Sequence, residues 1–230
     1  MVLLVPDDMP AGANTVKGNV EEMCALFKDW DPRISKLLTL CQSVYKWRLC
    51  IRPNLNPTWS HESGAFTILG DAAHATLPYL ASGAGMSLED GHVLGLCLAR
   101  LNTKNDTEKK KALEVYERCR RDRTERVVAR GNMQQHLYHV HDGPEQAERD
   151  RLLRAFSMFN NRGPGTKEEL TANGLQDGSD PFPWRWHGCG KWLLTYQCEP
   201  DVERRWAEAK AEMDDESSMR RQSGELRSQL

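Results

Sequence analysis

The segment from Ala65 to Gly91 constrains the fold of this chain more than any other. It opens with a short apolar run, Ala65-Phe66-Thr67-Ile68-Leu69, stopped by Gly70-Asp71. Runs of that kind suit a strand buried on both faces of a parallel sheet, where no polar alternation is needed. Such a strand delivers Asp71 to the carboxyl edge of the sheet, where open α/β folds bind their ligands. Gly70 lets the backbone turn sharply there. Gly83-Ala84-Gly85 then opens a helix expected from about Met86 to Leu101, with Val93, Leu94, Cys97, Leu98 and Leu101 as its stripe. The N-terminus of a helix presents unpaired N–H groups and a positive dipole end, which together favour negative charge. A carboxylate for hydroxyls and helix amides for an anion suit one large, polyhydroxylated, redox-active cofactor. The expected class is therefore α/β.

The flanks read less sharply. The opening Val2-Leu3-Leu4-Val5-Pro6 looks like the end of a strand. Val20 to Trp30 is amphipathic, and Asp31-Pro32 starts a second helix through Ile34, Leu37, Leu38 and Cys41. Val44 to Ile51 alternates as a strand does and is closed by Pro53. A charged linker, Asn102 to Lys111, leads to a helix over about 112–130, and 145–159 makes one more. Asn160 to Pro183 reads as loop. Trp184, Trp186 and Trp192 are expected to cluster, and Val202, Trp206 and Ala209 to start a last helix. The corresponding division is 1–60, 61–142, 143–213 and a disordered tail at 214–230.

Net charge is -2, from 31 basic and 33 acidic side chains, which argues against a general nucleic-acid binder. Residues 104–130 hold ten basic and six acidic side chains, but only Tyr116 interleaves them, so a solvated helix face is expected. No apolar run approaches the roughly 18 residues that span a bilayer, and no signal peptide is evident, which implies an intracellular, cytoplasmic setting. The seven cysteines form no C-x-x-C pair and read as reduced thiols. His136, His139 and His141 read as an exposed helix end rather than a zinc site, so no metal is expected. His74 is expected to act structurally by hydrogen-bonding the turn. Glu89 and Asp90 are expected to sit in a first helical turn and favour its dipole, without catalytic duty.

The string Gly70-Asp71-Ala72-Ala73-His74, with Pro78, Gly83, Gly85, Glu89 and Asp90, resembles the second FAD-contacting motif of the single-component flavoprotein aromatic hydroxylases, the family of salicylate hydroxylase and para-hydroxybenzoate hydroxylase. Trp47, Trp59, Tyr116-Glu117, Arg120, Arg123, the run Trp192 to Tyr196 and Trp206 agree with fungal members. The resemblance implies FAD as cofactor, NAD(P)H as co-substrate, and O₂-dependent hydroxylation of an aromatic or similar small molecule. It implies FAD contacts at Gly70, Asp71, Pro78, Gly83, Ala84, Gly85, Met86 and Ser87, with Asp71 on the ribityl chain and amides of residues 85–87 facing the flavin. No catalytic residue is assigned. None of the 17 glycines forms the G-x-G-x-x-G turn with which the family grips the pyrophosphate. The expectation is thus the C-terminal portion of such a monooxygenase: part of a Rossmann-like FAD domain, a substrate-domain remnant and C-terminal helices. Alone, it is expected to hold FAD weakly. The reading from a different class is a non-catalytic fragment or helical interaction module without flavin.

Overall fold

Local capping and packing dictate two compact units, residues 1–50 and 51–230, in the computed structural model of the chain. The structure describes residues 2–103, 105–159 and 165–228, with the side chains of the last helix described through 215 and at Met219.

In the first unit, β1 (Thr15–Lys17) pairs antiparallel with β2 (Tyr45–Trp47), Thr15 facing Trp47. Between them lie α1 (Val20–Leu26) and α2 (Pro32–Leu38). Each helix starts on a side-chain cap: Asn19 accepts from the Glu22 amide, and Asp31 accepts from the Arg33 amide ahead of Pro32 at the first turn. Their apolar faces close over Met23, Phe27 and Leu38. Residues 2–6 are not strand as expected; Leu3 and Val5 pack on that same core without a ladder. The expected strand over 44–51 is reduced to three residues.

The second unit is helical: α3 (Asp71–His74), α4 (Gly83–Leu98), α5 (Asp106–His139), α6 (Pro144–Ser157), α7 (Lys167–Ala172), α8 (Lys191–Leu194) and α9 (Cys198–Ser228). A 3-10 turn, Pro78–Leu80, links α3 to α4. Helix α5 is the axis, packed against α4, α9 and the 3-10 turn. Trp59, Val93, Cys97, Val115, Tyr116, Cys119 and Val202 form its main core, and Leu80, Met86, Val127, Cys189 and Leu193 a second one. No helix among the described residues is long and apolar enough to cross a membrane.

Several expectations are corrected here. The molecule is mostly helical, and its sheet among the described residues is the single antiparallel pair β1–β2. The run 65–69 is not a buried parallel strand. It is extended, makes one antiparallel bridge from Thr67 to Ser60, and leaves Phe66 61% and Leu69 39% exposed. A parallel strand needs distant partners across a crossover, and none is among the described residues. Residues 106–111 of the charged linker join α5 because Lys and Glu are good helix formers and Asn105 caps the new start by accepting from the Glu108 amide, while Lys104 lies outside the described residues. Residues 167–172, expected as loop, form α7 behind a Thr166–Glu169 capping box; residues 160–164 of that expected loop lie outside the described residues. The three tryptophans do not cluster. Trp184 meets Phe182, Trp186 lies under Lys191, and Trp192 lies under Arg126. Helix α9 carries regular structure through most of the segment expected as tail.

Candidate functional site

The extended segment is pinned before it turns. Ile68 donates its amide to the Trp59 carbonyl and accepts from the Tyr116 hydroxyl at 3.2 Å. Gly70 then takes φ 58°, a left-handed value that a side chain resists. A Cβ there would also lie 2.9 Å from Ser87 Oγ on α4. Both facts explain the glycine. The turn places Asp71 at the first position of α3, exposed, with no side-chain hydrogen bond among the described residues. Arg52 donates to the carbonyl of the next residue, Ala72.

Helix α4 presents its N-terminus next to this turn. Its first helical hydrogen bond runs from Met86 N–H to the Ser82 carbonyl at 2.9 Å. The amides of Gly83, Ala84 and Gly85 therefore have no acceptor within the helix. Ser82, at the capping position, does not cover them: its hydroxyl donates to the Leu80 carbonyl. Ala84 and Gly85 are exposed, and space beside Gly85 is open. The open amides are thus those of 83–85. The Met86 amide is already engaged, its side chain is buried, and Ser87 turns its hydroxyl back to the Gly83 carbonyl. Pro78 stands exposed at the head of the 3-10 turn.

Beneath this surface lies a buried charge network. Asp90, fully buried on α4, accepts from the Gly70 amide at 2.8 Å, His74 Nε2 at 2.6 Å and Arg120 Nε at 2.7 Å. Arg120, also fully buried, reaches Glu89 and the Met86 carbonyl. Arg123 grips Glu89 with two nitrogens and donates to the carbonyls of Trp192 and Leu193. Burial alone would raise the Asp90 carboxyl; His74, Arg120 and the Gly70 amide outweigh it and hold the group below its ordinary value. Glu89 likewise is pushed up by burial and pulled further down by Arg123 and Arg120. The expectation that Glu89 and Asp90 merely favour a helix dipole is corrected. With α4 starting at Gly83, both lie in its second turn, and their partners are arginines. The signal was present in sequence as Arg120 and Arg123, three apart on one helix, which periodicity alone does not connect to an acid thirty residues earlier. The His74 ring, expected to hydrogen-bond the turn, bonds Asp90 on α4 instead.

The remaining candidates stay apart. His136 pairs with Glu145, and His139 with the Tyr79 hydroxyl. Among the described residues no group of three or more His, Cys, Asp or Glu could hold a metal ion. The seven cysteines are unpaired, and burial pushes the Cys97 and Cys119 thiols up to about 12. An open groove of about 600 Å³ between the 57–64 loop and α5 is lined by Ser60, His61, Glu117 and Arg121, with Arg205 of α9, and by no residue of 65–91.

The family match spans the same segment. Residues 53–131 match the family described as FAD binding domain. An FAD-dependent monooxygenase of Beauveria bassiana, OpS4, is 41% identical over 153 residues, covering 66% of this chain and 35% of that protein. A 3-hydroxybenzoate 6-hydroxylase of Aquipseudomonas alcaligenes is 40% identical over 136 residues, covering 59% of this chain and 40% of the enzyme. The chain thus spans little more than a third of these relatives. A solved salicylate hydroxylase substrate complex shares the fold, with TM-score 0.57 and 23% identity over 88% of this chain and 40% of that one. Residues 53–131 thus match the FAD binding domain, and the chain is similar to proteins named as an FAD-dependent monooxygenase and a hydroxylase.

Proposed function

We propose that this chain carries the flavin-facing part of an FAD-dependent monooxygenase that uses NAD(P)H and O₂ to hydroxylate an aromatic or similar small organic substrate. The observation that carries the reading is the exposed, unpartnered Asp71 carboxylate on a turn packed against the uncapped start of α4. The donor set fits FAD. A carboxylate accepts hydrogen bonds from ribityl hydroxyls, and three open amides favour electron-rich oxygens of a bound ring or anion. Gly70, Asp71, Pro78, Gly83, Ala84 and Gly85 line this surface, with Met86 and Ser87 supporting it from behind. Bound FAD would supply the redox and oxygen chemistry, while the chain binds and orients it.

Titration of the purified chain with FAD, followed by flavin fluorescence, tests the reading. Saturable binding is expected. Asp71→Ala should weaken it about ten- to hundredfold, the value of a charged hydrogen bond of roughly 1.5–3 kcal/mol. Because Asp71 is exposed, the thermal midpoint should stay put. Unchanged FAD affinity in Asp71→Ala removes Asp71 from the site, and a chain that never takes up flavin favours the helical-module reading.

A further inference from the structure

The Asp71 turn and the α4 amides are separate pieces of chain, and something must fix one against the other. One oxygen does most of it. Asp90 Oδ2 accepts from the Gly70 amide immediately before Asp71 and from the His74 ring three residues after it. The whole of α3 is therefore suspended from a carboxylate rooted on α4, the same helix whose first amides are open. The other oxygen, Oδ1, is held by Arg120 Nε, so the carboxylate cannot swing without breaking a pair in which both side chains are 0% exposed. Arg120 in turn holds the Met86 carbonyl in the first turns of α4. The geometry also fixes the imidazole. His74 Nε2 meets Asp90 Oδ2, and its Nδ1 is buried without a partner among the described residues.

We propose that Asp90, with His74 and Arg120 as its partners, is a positioning residue for the cofactor site: it sets the Asp71 carboxylate in register with the amides of Gly83, Ala84 and Gly85. This deepens, and rests on, the flavin-binding reading above. It is distinct from a role in stability alone, because Arg123 supplies a matched control. Arg123 is bound into the same network through Glu89 and shares the Tyr196 ring with Arg120, but its backbone acceptors, the carbonyls of Trp192 and Leu193, belong to α8 and not to the turn. Loss of Arg123 should loosen the fold without releasing Gly70.

The experiment uses the full chain as wild type, Asp90→Asn, His74→Ala, His74→Gln and Arg123→Ala. It measures FAD affinity, thermal midpoint, and hydrogen exchange of the Gly70 amide by NMR. Asp90→Asn and His74→Ala should lose about tenfold or more in FAD affinity, a difference of roughly 1.4 kcal/mol. They should also speed exchange at Gly70. His74→Gln, whose amide can still donate to Asp90, should recover part of both. Arg123→Ala should lower the midpoint while changing FAD affinity by less than about threefold and leaving Gly70 protected. Equal affinity losses in Arg123→Ala and His74→Ala, at similar midpoints, would overturn the proposal and leave the network purely structural. Unchanged Gly70 exchange in His74→Ala and Asp90→Asn would also overturn it. If Asp90→Asn does not fold, the two His74 variants decide. If wild type binds no FAD, the flavin reading fails separately, and Gly70 exchange alone decides whether Asp90 positions the turn.

Discussion

At Gly70 two independent costs meet, and they can be separated. A side chain at φ 58°, ψ -145° is strained by about 1–3 kcal/mol whatever surrounds it. The 2.9 Å approach to Ser87 Oγ adds a clash that depends on that one atom. Gly70→Ala should therefore destabilise by about 2–3 kcal/mol in urea unfolding, and Gly70→Ala with Ser87→Ala should recover only the second part. Full recovery in the double variant would mean that backbone strain is negligible here. Residues of this kind are legible in sequence: Gly70, Asp71 and Gly83-Ala84-Gly85 are the residue types that a sharp turn and an open helix start need. The partner of Gly70 was not legible. Asp90 reaches it across twenty residues through a fold that brings α4 under α3, and no local pattern announces that contact.

Among the elements, the seam between α5 and α8 depends on Arg123, whose guanidinium satisfies two carbonyls at the end of α8 and both oxygens of Glu89. Removing it leaves the half-buried Glu89 carboxylate with Arg120 alone and takes the donor from two carbonyls. Arg123→Ala should cost about 2–4 kcal/mol, and Arg123→Lys somewhat less, because an ammonium cannot reproduce the planar fork. Limited trypsin digestion should then cut faster after Lys191 than in wild type; an unchanged rate would show that Trp192 and Leu193 hold α8 unaided. The helices announced themselves well: Asp31-Pro32 begins α2 as expected, and the stripe Val93 to Leu101 falls on α4 and its end. The strand at 65–69 did not, since a short apolar run satisfies equally a buried strand and an extended segment braced by Trp59 and Tyr116. Length distinguished α5 poorly, because its charged first turns carry no apolar period while their propensity and the Asn105 cap favour helix.

For the whole molecule, acid should undo the second unit from its centre. Asp90 and Glu89 are both more acidic folded than in an unfolded chain, where carboxyls titrate near 4. Such groups contribute stability that is fully present above that value and lost as pH falls through it towards the folded pKa. The urea midpoint should accordingly decline below about pH 4, with a shallower decline in Asp90→Asn. An identical slope in the variant would place the acid-sensitive groups elsewhere. The two main cores of this unit report to α5, which at 34 residues is about 50 Å long. Tyr116 and Arg120 meet the turn and α4, Val127 meets Leu80 and Leu193, and Gln134 donates to the Pro181 carbonyl. These stations share one angular phase and one axial scale. Inserting a single residue between them turns everything downstream by about 100°, while inserting seven restores the angle to within about 20° but displaces it by about 10 Å. No insertion length restores both. Length variation among natural versions of this domain should therefore avoid residues 116–134 and collect beyond the ends of that helix.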